Sequence, residues 1–119
     1  MKIVRFEGID SWKKARELTR AVYRITAQQK FSKDFGLRDQ IQRASVSIMS
    51  NIAEGFDAGS DKAFVCFLRY SYRSASEVQS LLYVALDSGY IVEADFQNCF
   101  GQASETKRMI GGFIKYLKK

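Results

Sequence analysis

The sequence predicts an all-α fold, an antiparallel up-down-up-down four-helix bundle formed as one domain over residues 1–119. Three observations predict it. Apolar residues recur at three- and four-residue steps in four successive segments, the spacing that makes one face of a helix. Short polar stretches join the segments, and short connections make consecutive helices antiparallel neighbours. The 119 residues include no proline, so nothing forces a break within a segment, and no segment alternates as a strand would.

The first helix is expected over Ile9–Gln28, with Ile9, Trp12, Ala15, Leu18, Val22 and Ile25 on its core face and Asp10 or Ser11 as its cap. The second is expected over Leu37–Glu54, with Leu37, Ile41, Ala44, Ile48 and Ile52 inward and Gly55 as a left-handed terminator. Phe31 and Phe35 should anchor the connection between them. The third is the longest, Asp61–Ser88, capped by Ser60 and stopped by Gly89. Phe64, Leu68, Ser71, Ala75, Val78, Leu82 and Ala85 mark its seam, and Phe67, Tyr70, Ser74 and Leu81 form a second stripe beside it. The fourth, Val92–Leu117, carries Phe96, Cys99, Ala103, Thr106, Ile110, Phe113 and Leu117 in the 3-4 alternation of bundle seams. Gly111 and Gly112 weaken that helix in isolation by roughly 1 kcal/mol each, which points to a close neighbour or local flexibility. The expected core includes Trp12, Leu18, Ile41, Ile48, Leu68, Val78, Leu82, Ile110 and Phe113.

Missing residues exclude most chemistry. Without histidine there is no Ser-His-Asp triad, no Cys-His pair and no Glu-x-x-His di-iron motif. No Walker A loop or dinucleotide-binding glycine pattern occurs. Cys66 and Cys99 lie far apart in helical patterns and are expected to be free buried thiols. No enzyme activity, metal, cofactor or small-molecule substrate is therefore expected. No apolar run approaches the roughly 20 residues of a membrane span, and the N-terminus lacks the apolar core of a signal peptide; a cytoplasmic protein is expected.

The net charge is +6, and the excess lies in residues 1–28, at +4, and 91–119, at +2. Two groups of residues stand out. Lys13, Arg16, Arg20 and Arg24, with Lys14 beside them, make a basic stripe on the first helix. Lys115, Lys118 and Lys119 end the fourth. In an up-down bundle the first helix starts where the fourth ends, so Lys2, Arg5, Lys13 and Lys14 should meet that lysine tail. These cations are the expected footprint for phosphate, set against an ordinary solvated face. The other group is a polar stripe: Arg43, Ser47, Asn51 and Glu54, with Gln40, on the second helix, and Ser74 and Glu77, with Tyr70 and Arg73, on the third. A partly buried network in which Arg43, Asn51, Glu54 and Glu77 bond to one another is expected, with a ligand pocket as the alternative.

The run Phe35-Gly36-Leu37-Arg38-Asp39-Gln40-Ile41-Gln42-Arg43-Ala44, followed by Ser47-Ile48 and Asn51-Ile52-Ala53-Glu54-Gly55, resembles the signature of the four-helix bundle proteins encoded in 23S rRNA intervening sequences. Trp12, Ala15, Leu18, Tyr23 and Thr26 match that family's first helix, and Phe67-Leu68, Ser74, Glu77 and Gly89-Tyr90-Ile91 its later part. Met49 stands where that family often has proline, so a straighter second helix is expected. The resemblance implies a four-helix bundle and a homopentamer, and it carries no catalytic residues.

The expected function is that of a non-enzymatic homo-oligomer binding RNA or a ribonucleoprotein, such as the ribosome, through its basic patches. A structural or adaptor protein that binds another protein is the alternative. Tyr23, Tyr70, Tyr72, Tyr83, Tyr90, Phe100 and Tyr116 fall mostly outside the seams. Apolar surface of that kind is expected to support self-association, with the third helix contributing.

Overall fold

A computed structural model describes residues 3–119. Four helices follow in order: α1 Asp10–Thr26, α2 Phe35–Phe56, α3 Asp61–Asp87 and α4 Glu93–Leu117. A 3-10 turn, Phe6–Gly8, leads into α1, and another, Phe31–Lys33, leads into α2. No strand occurs among the described residues. Each helix packs on its sequence neighbours, and α1 closes the ring against α4, giving an up-down-up-down bundle of 44 × 21 × 19 Å. No helix among the described residues is long and apolar enough to cross a membrane.

The seam positions make the core. Leu18, Ile41, Ile48, Leu68, Val78, Leu82 and Ile110 are fully buried, and so is Phe31 from the connection. Two expected members are displaced. Trp12 and Phe113 are half-buried at the end of the bundle and pack on the core from outside it. Trp12 makes an edge contact with Phe6 at 5.2 Å, and Phe113 one with Phe64 at 5.1 Å. Both rings seal the open end of a bundle whose helices differ in length. α1 has 17 residues against 27 for α3, about 25 Å against about 40 Å, and the two 3-10 turns carry the chain over the difference.

The helix ends correct three expectations. Neither Asp10 nor Ser11 caps α1: Ile9 holds that position, no side chain bonds the first turn, and Ser11 is buried within the helix. At α2 the cap is Asp34, whose carboxylate accepts from the Leu37 amide at 3.1 Å, so the helix starts two residues early. Its other oxygen accepts from the Tyr90 hydroxyl at 2.9 Å. That shared carboxylate ties the α1–α2 connection to the α3–α4 turn, and Tyr90 stacks on Phe31 at 5.4 Å. The bonded carboxylate holds the Tyr90 hydroxyl above the usual phenol range. Ser60 caps α3 through the Ala63 amide as expected. Gly89 stops it with φ 75°, its own amide on Leu86 O and that of Tyr90 on Ala85 O.

Gly55 is not a terminator. It lies inside α2, which runs on to Phe56, and positive φ falls instead at Gly59, in the turn. Its role is close approach: a Cβ there would sit 2.8 Å from Phe64 Cδ1 and 2.8 Å from Phe67 Cβ. Farther along, Ser71 is buried and its hydroxyl donates to Ile48 O at 2.8 Å, a hydrogen bond across the same pair of helices. Gly111 and Gly112 have no such neighbour, since a Cβ at either meets nothing within 4 Å.

Replacing Gly55 with alanine is expected to destabilise the fold by about 1–3 kcal/mol through overpacking, against the gain of up to about 1 kcal/mol in helix propensity. Gly101→Ala, at a position where a Cβ meets nothing, is expected to stabilise by about 0.5–1 kcal/mol. Leu82→Ala, at a fully buried site, is expected to cost about 2–5 kcal/mol. Urea denaturation followed by circular dichroism measures all three, and a stabilising Gly55→Ala would contradict the close approach.

Candidate nucleic-acid interface

The buried residues of α1 include Ala15, Leu18, Val22 and Ile25. At 100° per residue, Lys13, Arg16, Arg20 and Arg24 fall on the opposite side. All four are exposed, strung over about 16 Å of helix axis. Lys13 reaches Asp10 at 4.0 Å, and Arg16 lies 5.8 Å from the Trp12 ring centre. Arg20 and Arg24 make no side-chain hydrogen bond or ion pair among the described residues, and Glu17 borders the stripe on the α4 side. On the α2 side lies Tyr23, 46% exposed, in a shallow groove with Asp39, Gln42, Arg43 and Val46. The basic face therefore has an accessible aromatic ring and a further guanidinium at its edge.

Lys14 belongs elsewhere. It is half-buried in the seam with α4, where its charge and the hydrogen bond from Arg108 act on Glu105. The Arg108 bond is the larger influence, and Glu105 is held below the usual carboxylate range. Lys115, Lys118 and Lys119 are exposed at the end of α4. The start of α1 adjoins that end, as Asp10 and Ser11 share a cavity with Arg108 and Phe113. Lys118 itself sits in a groove with Asp61 and Lys62 of α3, away from the α1 stripe. Arg5 is exposed near the start of α1, and Lys2 lies outside the described residues.

The polar stripe forms only in part. Asn51 donates to Ser47 O at 2.9 Å and to Ser47 Oγ at 3.0 Å, and Ser74 Oγ donates to Ser47 Oγ at 3.0 Å. Gln40 reaches Glu77 at 3.2 Å across the same groove. Arg43, Glu54 and Glu77 are all exposed, contrary to the expected burial, and no ion pair joins them. Short serine and asparagine side chains fit the α2–α3 seam, while the long charged ones at its border extend into solvent. The groove, about 480 Å³ lined by Gln40, Arg43, Ser47, Ser74 and Glu77, is open.

Several tying contacts escaped the periodicity. Thr19 Oγ1 lies 2.8 Å from Ala15 O and 3.2 Å from Ser45 O, sharing its hydrogen between α1 and α2. Gln42 donates to Thr26 at 2.9 Å, and Gln28 donates to Asp95 at 2.9 Å. Gln79 donates to Ser104 at 2.8 Å and accepts from Lys107, which lies 5.0 Å from the Tyr72 ring centre. A polar residue one step off a seam was the available signal, but its partner lies on another helix.

The two thiols differ, against expectation. Cys99 is buried, whereas Cys66 is exposed on α3, where the period turns it outward. Burial first, and then the Asp95 charge, push the Cys99 thiol up to about 11, against a smaller opposing pull from Arg24. A thiol-selective disulfide reagent should therefore modify one cysteine in the folded chain and two in denaturant. The raised value also sets a pH trend. The folded state holds the Cys99 proton more tightly than the unfolded state, so this contribution is intact below about pH 9 and is lost as pH approaches 11. Denaturation midpoints from pH 7 to 11 measure it, and Cys99→Ala should remove that part of the decline.

Comparison with known proteins agrees with this architecture. The chain superposes with a TM-score of 0.80 on the crystal structure of a protein of unknown function from the S23 ribosomal protein family of Bacteroides thetaiotaomicron. The two are 23% identical over 88% of this chain and 98% of that one. No curated protein matches the sequence. The family model described as 23S rRNA-intervening sequence protein matches residues 7–112, and the chain belongs to that family.

Proposed function

We propose that the protein is a non-enzymatic homo-oligomer that binds RNA, alone or in a ribonucleoprotein, through the outward face of α1. The basic face carries this reading: four exposed cations stand in one row, and among the described residues only Lys13 of the four pairs with a carboxylate. Such a row neutralises phosphates and releases their counterions without needing a shaped pocket. Tyr23 and half-buried Trp12 flank it, and aromatic rings beside a basic track suit stacking with unpaired bases. The family's name, which refers to 23S rRNA, supports an RNA ligand.

Self-association, as a pentamer, completes the reading. Tyr70, Tyr83 and Tyr116 are 45%, 51% and 49% exposed, a degree of apolar exposure that suits an interface. They do not form a single patch: Tyr83 packs on Phe96 and Phe100 of α4, whereas Tyr70 contacts Phe67 and Arg73 of its own helix. A closed ring would repeat one head-to-tail contact and gather five copies of the basic face, raising avidity for a polyanion.

Changing Lys13, Arg16, Arg20 and Arg24 together to glutamine should leave the fold intact, because each shifts stability by less than about 0.5 kcal/mol. It should weaken binding to a single-stranded RNA oligonucleotide and flatten the dependence of log affinity on log salt by up to about 3 per chain. Fluorescence anisotropy over a salt series measures both. Unchanged affinity in that variant would transfer the reading to a protein partner. Light scattering is expected to return a mass five times that of the 13.6 kDa chain, and a monomer mass would remove the avidity mechanism.

A further inference from the structure

Where α1 begins, a cavity of about 490 Å³ opens between its first turn and the second half of α4. Ile3, Ile9, Met109 and Phe113 give it apolar walls, and Asp10, Ser11 and Arg108 bring polar groups. That volume falls within the range of small-molecule sites, which pair apolar walls with a few convergent polar groups.

Three observations concern its polar side. α1 starts uncapped, and the amides of Asp10, Ser11 and Trp12 have no acceptor among the described residues. Uncapped first-turn amides carry the positive end of the helix dipole and favour an anion. Independently, Ser11 is only 3% exposed, lines the cavity, and its Oγ has no hydrogen-bond partner among the described residues. Native structures rarely leave a buried hydroxyl unpaired. Arg108 gives two of its N–H groups to Glu105, and a guanidinium has five. The Asp10 carboxylate at the rim opposes an anion, although Lys13 lies 4.0 Å from it. That opposition favours a singly charged head over a doubly charged phosphate.

We propose that this cavity binds a small amphipathic carboxylic acid. Its carboxylate lies among the first-turn amides, Ser11 and Arg108, and its apolar body lies against Ile9, Met109 and Phe113. The site shares with the RNA-binding row only Lys13, through its contact with Asp10 at the rim; Arg16, Arg20 and Arg24 take no part in it, and the octanoate readout does not depend on RNA.

The test is an NMR titration of the full chain with octanoate, with octanol and inorganic phosphate as the body and the head alone. Octanoate is expected to shift the amides of Asp10, Ser11 and Trp12 and the methyls of Ile9 and Met109, and to bind about tenfold more tightly than either comparison probe. Ser11→Ala should weaken it by about tenfold. Gly112→Leu, which places a side chain at the cavity wall where a Cβ meets nothing within 4 Å, should abolish it. Asp10→Asn should tighten it. Unperturbed α2 and α3 amides in each variant report that the fold is intact. Octanol binding as tightly as octanoate, octanoate binding indifferent to Ser11→Ala and Gly112→Leu, or no shift at the first turn of α1 would each overturn the proposal.

Discussion

The approach of α2 to α3 at Gly55 is the constraint on which the rest of the bundle depends. With no side chain there, the ring of Phe64 and the Cβ of Phe67 lie directly against the α2 backbone. The turn between the helices needs only the positive φ of Gly59 and the Ser60 cap. Ser71 then bonds the Ile48 carbonyl, and Ser74 meets Ser47, so polar groups bind the pair along its length. α1 and α4 pack on this pair and on each other. Their placement is fixed by the fully buried Leu18, Val22 and Ile110 and by the Gln28–Asp95 bond across their shared end.

That arrangement determines what α1 offers to solvent. Ala15, Leu18, Ala21, Val22 and Ile25, together with Thr19 and Thr26, face the bundle, so the cations at Lys13, Arg16, Arg20 and Arg24 have only the outward side left. Charge on a rigid helix keeps its spacing, and spacing is what phosphate contacts use. The remaining charges are distributed differently. Lys14 and Arg108 act on Glu105 in the α4 seam, and Arg38 pairs with Asp39. The α1 face is therefore distinguished by four exposed cations aligned on one side of one helix; a scarcity of ion pairs among the described residues it shares with Arg5, Arg43, Lys115, Lys118 and Lys119.

Most of the architecture was legible in the sequence, because seam positions obey a period that one chain displays by itself. Leu68, Val78, Leu82 and Ile110 were identifiable from spacing alone, as were the Ser60 cap and the Gly89 stop. Gly55 was misread because a glycine at a helix end fits two physical roles, left-handed stop and close packing, and only the positions of Phe64 and Phe67 separate them. Asp34 went unnoticed as a cap although its bond to the Leu37 amide is local, and its second partner, Tyr90, 56 residues away, was beyond reach of spacing. The basic stripe was legible for the same reason as the core, being its complement on one helix. The charged polar network was not, because spacing places Arg43 and Glu54 on a face without saying that long side chains there leave the seam. The cavity at Ser11 was also beyond reach, as its walls come from both ends of the chain.

The central claim is that the outward face of α1, and not the α2–α3 groove, meets the polyanion. Photocrosslinking of the full chain to a 4-thiouridine-substituted RNA oligonucleotide, with mass-spectrometric mapping of the linked residues, tests it most directly. The account predicts cross-links concentrated in α1, at Trp12, Tyr23 and the residues between them. Cross-links confined to α2 and α3 around Tyr70, with α1 unlabelled, would contradict it.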